Sequence, residues 1–374
     1  MKVPDELLSE LEPHQRDAVQ DSSVVVAAQA MLDVVEGIAP VSSCVALRSK
    51  WLALASRLLS EEREPCPAHL EVGLLVAVAT TAFAAREMTA AAHASEQAIT
   101  LAQDVGEDGL EAIVRSRRLA FVAANDRVLA ARDHQALLEA CERVPSLKND
   151  DRVMAEVYLG QIAWNAVCDD LDGMRRSLAA FGRLQLPHDG RLHYFAYATR
   201  AALAQYQLRT RKRVKAVHSL IDVARLAHDL EAHAEMSNIQ TMLAAFAVRA
   251  GDFDAAFAHG HSAIEAAQSN RINRRRLDPW LGMPFDVSVE EDYAGFIHHL
   301  AEAALQARDN QDRIGFLVSV MAMIAFYLLA DRAPEALDTM KEAVEAVKVM
   351  NDEHATAMLR QTAAGLLRYM GMLT

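Results

Sequence analysis

The sequence is short of the residues that interrupt helices, with 15 Gly and 10 Pro in 374 residues. No run of alternating apolar and polar residues reads as a half-buried strand, so a substantial sheet is not expected. Cysteine is scarce: Cys44, Cys66, Cys141 and Cys168 form no C-x-x-C pair, which excludes a zinc framework or a disulfide scaffold and suits a reducing cytoplasm. Positive charge is in deficit. A net charge of −13 opposes general affinity for nucleic acid or an anionic membrane, so neither is expected as a partner. The opening stretch MKVPDELLSELEPHQRD is acidic and lacks an apolar core, unlike a secretory signal, and the SSVVVAAQAML that follows is too short to span a bilayer.

Motifs of chemistry are missing as well. There is no phosphate-binding Gly-rich loop, no dinucleotide fingerprint and no G-x-S-x-G elbow. No His has a Glu three residues before it, and no H-E-x-x-H occurs, which removes the di-iron bundle signature and the common helical zinc motif. His259 and His261 stand two apart, about 200° around a helix, and so diverge. Cys66 and His69 have no second ligand pair. The acidic run Asp169, Asp170 and Asp172 reads as a turn between helices. One cluster stays open: His298 and Glu302 share a helical face at i, i+4, with His299 and Asp292 nearby. It defines the rival reading of an all-helical enzyme or metal protein. The leading expectation is a non-catalytic chain with no metal and no cofactor.

What is abundant is helix former. With 52% apolar and 24% charged residues, the composition suits a soluble, well-packed chain. It also repeats. The stretch AGDFDAAFAHGHSAIEAAQ (250–268) superimposes on ADRAPEALDTMKEAVEAVK (330–348) after a shift of 80 residues, with Ala256 on Ala336 and Ala263 on Ala343. Fainter copies place anchors at Ala91, Ala136, Met174 and Ala216, a spacing close to 40 with one unit skipped. Each anchor segment follows a leading helix, expected near 69–86, 108–125, 151–168, 190–209, 232–250 and 312–330. Small residues at the anchors let paired helices approach closely, and each pair buries its faces only by stacking on its neighbours.

The stretch Gly251-Asp252-Phe253-Asp254-Ala255-Ala256, with Ala263 seven residues on and Tyr327 nine before Ala336, resembles the tetratricopeptide repeat. The spacing near 40 is similar to that of the longer-helix solenoids of bacterial regulators. The resemblance implies an all-α, right-handed α-solenoid of stacked antiparallel hairpins over about 69–350. The expected organisation is an N-terminal helical cap (1–60, with helices near 4–20, 23–37 and 41–59), an array (61–350) with an irregular insertion (271–289), and a C-terminal capping helix (351–374).

The resemblance also implies a function: a cytoplasmic scaffold or regulator that binds a protein or peptide in the groove lined by the leading helices. Carried over by the anchors, the groove positions are Arg118, Phe121, Asn125, Glu156, Leu159, Gln205, Asn238, Thr241 and Met242. Asn125 serves equally as a cap for the following turn. The insertion, where Pro279 and Pro284 forbid a continuous helix, offers Arg274, Arg275 and Arg276 for an acidic group and Trp280 and Phe285 as apolar anchors. A second basic run, Arg209 to Lys215, lies in a turn. Finally, Ile314 to Ala330 has no charge at all and is expected to be a helix buried on every side rather than a membrane span.

Overall fold

The computed structural model describes the chain apart from residues 1–7, 9–10, 12–15, 18, 20–22, 62–65, 86, 124–125, 187–189, 270–275, 279–282, 286–292, 310–312, 350–352 and 373–374. At 42, 61, 190–192, 276–278, 283–285, 314 and 354 it describes the backbone alone. Among the described residues it is all-α, with sixteen α-helices packed largely as sequential pairs. The chain forms two compact units, Met1–Tyr206 and Gln207–Thr374.

In the first unit α1 (Val24–Gly37) pairs with α2 (Val45–Glu61), and α3 (Ala68–Ala85) with α4 (Met88–Val105). Next come the pair α5 (Asp108–Val122) and α6 (Arg127–Arg143) and the pair α7 (Asp151–Val167) and α8 (Leu171–Phe181). The long helix α9 (Gly190–Arg209) follows, and the division between units falls near its end. The leading helices also touch one another in sequence, α3 on α5 and α5 on α7. Gly160 explains how closely α5 and α7 approach: a Cβ there would sit 2.9 Å from the backbone of Ser116, a distance that side chains do not tolerate.

The second unit holds α10 (Arg213–Asp229), the pair α11 (His233–Ala250) and α12 (Phe253–Ser269), α13 (Tyr293–Asp309), the pair α14 (Arg313–Leu329) and α15 (Ala333–Val349), and α16 (Glu353–Tyr369). Here α14 packs against α11, α12, α13 and α15. Four neighbours account for its uniform apolarity, and Val320, Met321, Ile324 and Phe326 are buried among them. Apolarity all round is not special to α14, however. Helix α3, expected to be amphipathic like its sister leading helices, is the one described helix long and apolar enough to cross a membrane, and 56% of its apolar stretch is buried inside the chain.

The repeat is more regular than the sequence reading. The fourth residue of each second helix is buried: Ala91, Ala130, Met174, Ala216, Ala256, Phe296 and Ala336. These lie 39 to 44 residues apart. Ala136, the expected anchor in α6, is half-buried, and the slot belongs to Ala130 six residues earlier. Phe296 fills the unit that seemed skipped, and that unit has its second helix, α13.

Two three-residue strands, β1 (Arg276–Asp278) and β2 (Met283–Phe285), lie where the leading helix is due and pair antiparallel, Arg276 opposite Phe285 and Leu277 opposite Pro284. They are too short to show alternation, so no strand is legible from the residue pattern alone. The turns are regular too. A left-handed residue stands two before the next helix at Gly106, Asp169, Arg211, Glu231, Gly251 and Asp331.

Candidate binding surface

Two of the expected groove residues of the first unit, Arg118 and Glu156, lie in a buried ionic seam. Helix α5 carries Glu111, Arg115, Arg117 and Arg118, all buried. Arg118 donates through Nε to Asp133 Oδ2 and through Nη2 to Asp133 Oδ1, and through Nη1 to Glu96 Oε2, each at 2.6 Å. Arg115 reaches Glu111 at 2.8 Å and Asp133 at 3.0 Å. Arg117 gathers groups from three further helices: Glu36 of α1 (2.6 Å), Thr80 of α3 (3.0 Å) and Glu156 of α7 (3.0 Å).

Burial alone would lower the pKa of Arg117, but Glu156 and Glu36 outweigh it and hold the guanidinium above its ordinary value. The hydrogen bond from Arg118 pulls the Glu96 carboxyl below its usual range. Beside the seam Arg48, fully buried, donates to the carbonyls of Val35 and Ile38 at the end of α1 and to Thr81 Oγ1 at 2.9 Å. This cation meets the carbonyl-rich end of α1, where Val35 also accepts from the Ile38 amide at 3.2 Å.

Of the expected groove residues, Arg118 and Glu156 therefore spend their charge inside the chain. Phe121 is buried and stacks on Phe83 at 4.7 Å between ring centres, Leu159 is buried, and Gln205 is half-buried. Asn125 lies outside the described residues, as do Arg274, Arg275, Trp280 and Asp292. Arg276 and Phe285 face each other across the two-stranded ladder, described by backbone only.

The sequence reading missed Arg117 and Asp133. A signal for the second existed: α6 buries Ala130, Asp133, Leu137 and Ala140 at helical spacing. An acid inside an apolar stripe demands a cationic partner.

In the second unit Asn238, Thr241 and Met242 share one buried face of α11. Thr241 Oγ1 donates to the Ser237 carbonyl at 2.8 Å, as a buried helical threonine commonly does. Asn238 differs. Its side chain is 1% exposed, and neither Nδ2 nor Oδ1 has a hydrogen-bond partner among the described residues. On α13, His298 Nε2 lies 3.6 Å from Glu302 with both side chains well exposed, while His299 is mostly buried. Among the described residues no group of three His, Cys, Asp or Glu side chains could hold a metal ion. The Asp169–Asp172 run is a turn and a cap, in which Asp170 accepts from the Gly173 amide at 2.8 Å.

No family model matches the chain, and no curated protein matches it.

Proposed function

We propose that the chain is a TPR-like, right-handed α-solenoid that works as a non-catalytic, cytoplasmic binding module for a protein or peptide segment. In this reading it uses no metal or cofactor and binds neither nucleic acid nor membrane. Hairpins in series, leading helices that touch in sequence and a buried anchor in each unit, alanine in five of the seven, support the architecture. The observation that carries the function is Asn238. A buried carboxamide with no partner costs about 1–3 kcal/mol. A peptide group brings one donor and one acceptor and would meet both of its needs. In the first unit the expected groove residues Arg118 and Glu156 are already satisfied by ion pairs, so we assign the ligand to α11.

The test is cross-linking capture from the source cells with the wild-type chain and with Asn238→Leu, each verified as folded by circular dichroism. A partner captured by the wild type and lost in the variant supports the assignment. Equal capture by both removes Asn238 from the site and the reading with it.

A further inference from the structure

Helix α10 turns two different faces to its surroundings. Ala216, Ser219, Leu220, Val223 and Ala227 are buried and hold it to the second unit. The opposite stripe, at i, i+3, i+4 and i+7, carries Val214, Val217, His218 and Ile221. Val214 is 72% exposed and Ile221 50%. Branched apolar residues on a solvent face neither favour the helix nor gain from burial, so chain stability does not account for them.

Positive charge surrounds the start of this stripe. Five of the seven residues from Arg209 to Lys215 are cations, in a chain whose net charge is −13. Arg211, with φ 61°, stands at the tip of the turn, and Arg211, Lys212 and Lys215 are exposed. Among the described residues Arg211, Arg213 and Lys215 have no carboxylate partner. The acids of α10 lie further along and are engaged there: Asp222 with Arg225 at 4.0 Å and Asp229 with His228 at 3.7 Å. Burial, and then the neighbouring Arg211, hold the Arg213 guanidinium below its ordinary value, as expected of a cation lacking a counter-charge.

We infer that this outward face of α10 docks an acidic helical segment of a partner protein. Its apolar positions, Val214 and Ile221, form the dry centre, while Arg211 and Lys215 form a charged rim whose sign selects the partner. A bilayer fits worse. Anchoring in the interface draws on bulky Trp, Phe or Leu side chains, which this stripe lacks, and the net negative charge repels anionic lipid. Nucleic acid would use the rim and leave the apolar centre in water.

The probe is a labelled synthetic helix with leucines at i, i+4 and i+7 and glutamates between them, titrated with the full chain and read by fluorescence anisotropy. Saturable binding is expected, weakening about tenfold in Val214→Ser/Ile221→Ser and about tenfold in Arg211→Glu/Lys215→Glu. The control Val349→Ser, at an exposed valine of α15, leaves it unchanged. All of these positions are exposed, and circular dichroism checks that each variant keeps its helix content.

Three results would each overturn the inference. A shuffled peptide of the same composition could bind equally well, which would reduce the face to solvated charge. Phosphatidylserine vesicles could compete the helix away through the same residues. The chain alone could self-associate in sedimentation in a manner abolished by Val214→Ser/Ile221→Ser, which would give the face to a second copy.

Discussion

Asp133 and Arg118 meet in a two-point ion pair between α6 and α5, with both contacts at 2.6 Å and side-chain exposures of 0% and 2%. Asp133 also receives Arg115 at 3.0 Å, so one fully buried carboxylate serves two buried guanidiniums, whose other partners are Glu96 and Glu111. Removing it leaves two buried cations short of a counter-charge, with Glu96 and Glu111 alone to hold them. Asp133→Ala is expected to destabilise the first unit by about 3–5 kcal/mol, whereas Asp133→Leu combined with Arg118→Met should recover part of that loss. Urea denaturation of the three variants measures the difference. A loss below about 1 kcal/mol for Asp133→Ala would mean that the pair is not buried in solution.

Asn238→Leu should do the opposite. Replacing an unsatisfied buried carboxamide by an apolar group of similar size is expected to raise stability by about 1–2 kcal/mol while removing partner capture. A variant that loses both stability and binding would instead identify Asn238 as a structural residue.

The left-handed turn residues give a paired prediction. Glu231, at φ 51°, adopts a conformation that costs an ordinary side chain about 1–2 kcal/mol and costs glycine little. Glu231→Gly is therefore expected to raise the melting temperature. Gly251→Ala, at φ 77° in the matching position, should lower it, although nothing lies within 4 Å of the added methyl. If both variants melt as the wild type does, the turn conformation is wrong.

Two helix contacts differ in how much they can yield. A methyl at Gly160 would meet the Ser116 backbone at 2.9 Å, while one at Gly260 would meet the end of the Leu329 side chain. A leucine rotates away and a helix backbone does not. Gly160→Ala should thus cost about 1–3 kcal/mol and Gly260→Ala distinctly less, by the same denaturation assay.

His259 supplies the pH dependence. Its Nδ1 lies 2.7 Å from Gln240 Oε1, and burial holds its pKa below the ordinary histidine value. The unfolded chain then takes up the proton first. The contribution is complete above about pH 6.5 and is lost as pH falls through the depressed folded value. His259→Gln should flatten the stability profile of the wild type across that acidic range. An unchanged slope would remove His259 as its source.

Much of the array was legible in the sequence because helical periodicity and anchor spacing are local properties. The leading helices expected at 151–168, 190–209 and 232–250 are observed at Asp151–Val167, Gly190–Arg209 and His233–Ala250. Anchors fixed by a strong pattern, such as Ala256 and Ala336, are buried as expected, while the faint copy in α6 was misplaced by six residues because Ala130 and Ala136 are indistinguishable without a partner helix. The N-terminal helix expected near 4–20 falls mostly outside the described residues.

By itself, then, the sequence determined that this chain is helical, that its helices come in pairs every 40 residues or so, and that Pro279 and Pro284 forbid a continuous helix where one leading helix is due. Each of these depends on residues close together along the chain. Only the tertiary structure decided which charges are spent inside. The partners Glu36 and Arg117, 81 residues apart, meet because stacking brings α1 and α5 together. Asn238 looks like any polar helix residue until packing buries it and leaves its amide without a partner among the described residues. Desolvation depends on every neighbour at once, and no local pattern encodes it.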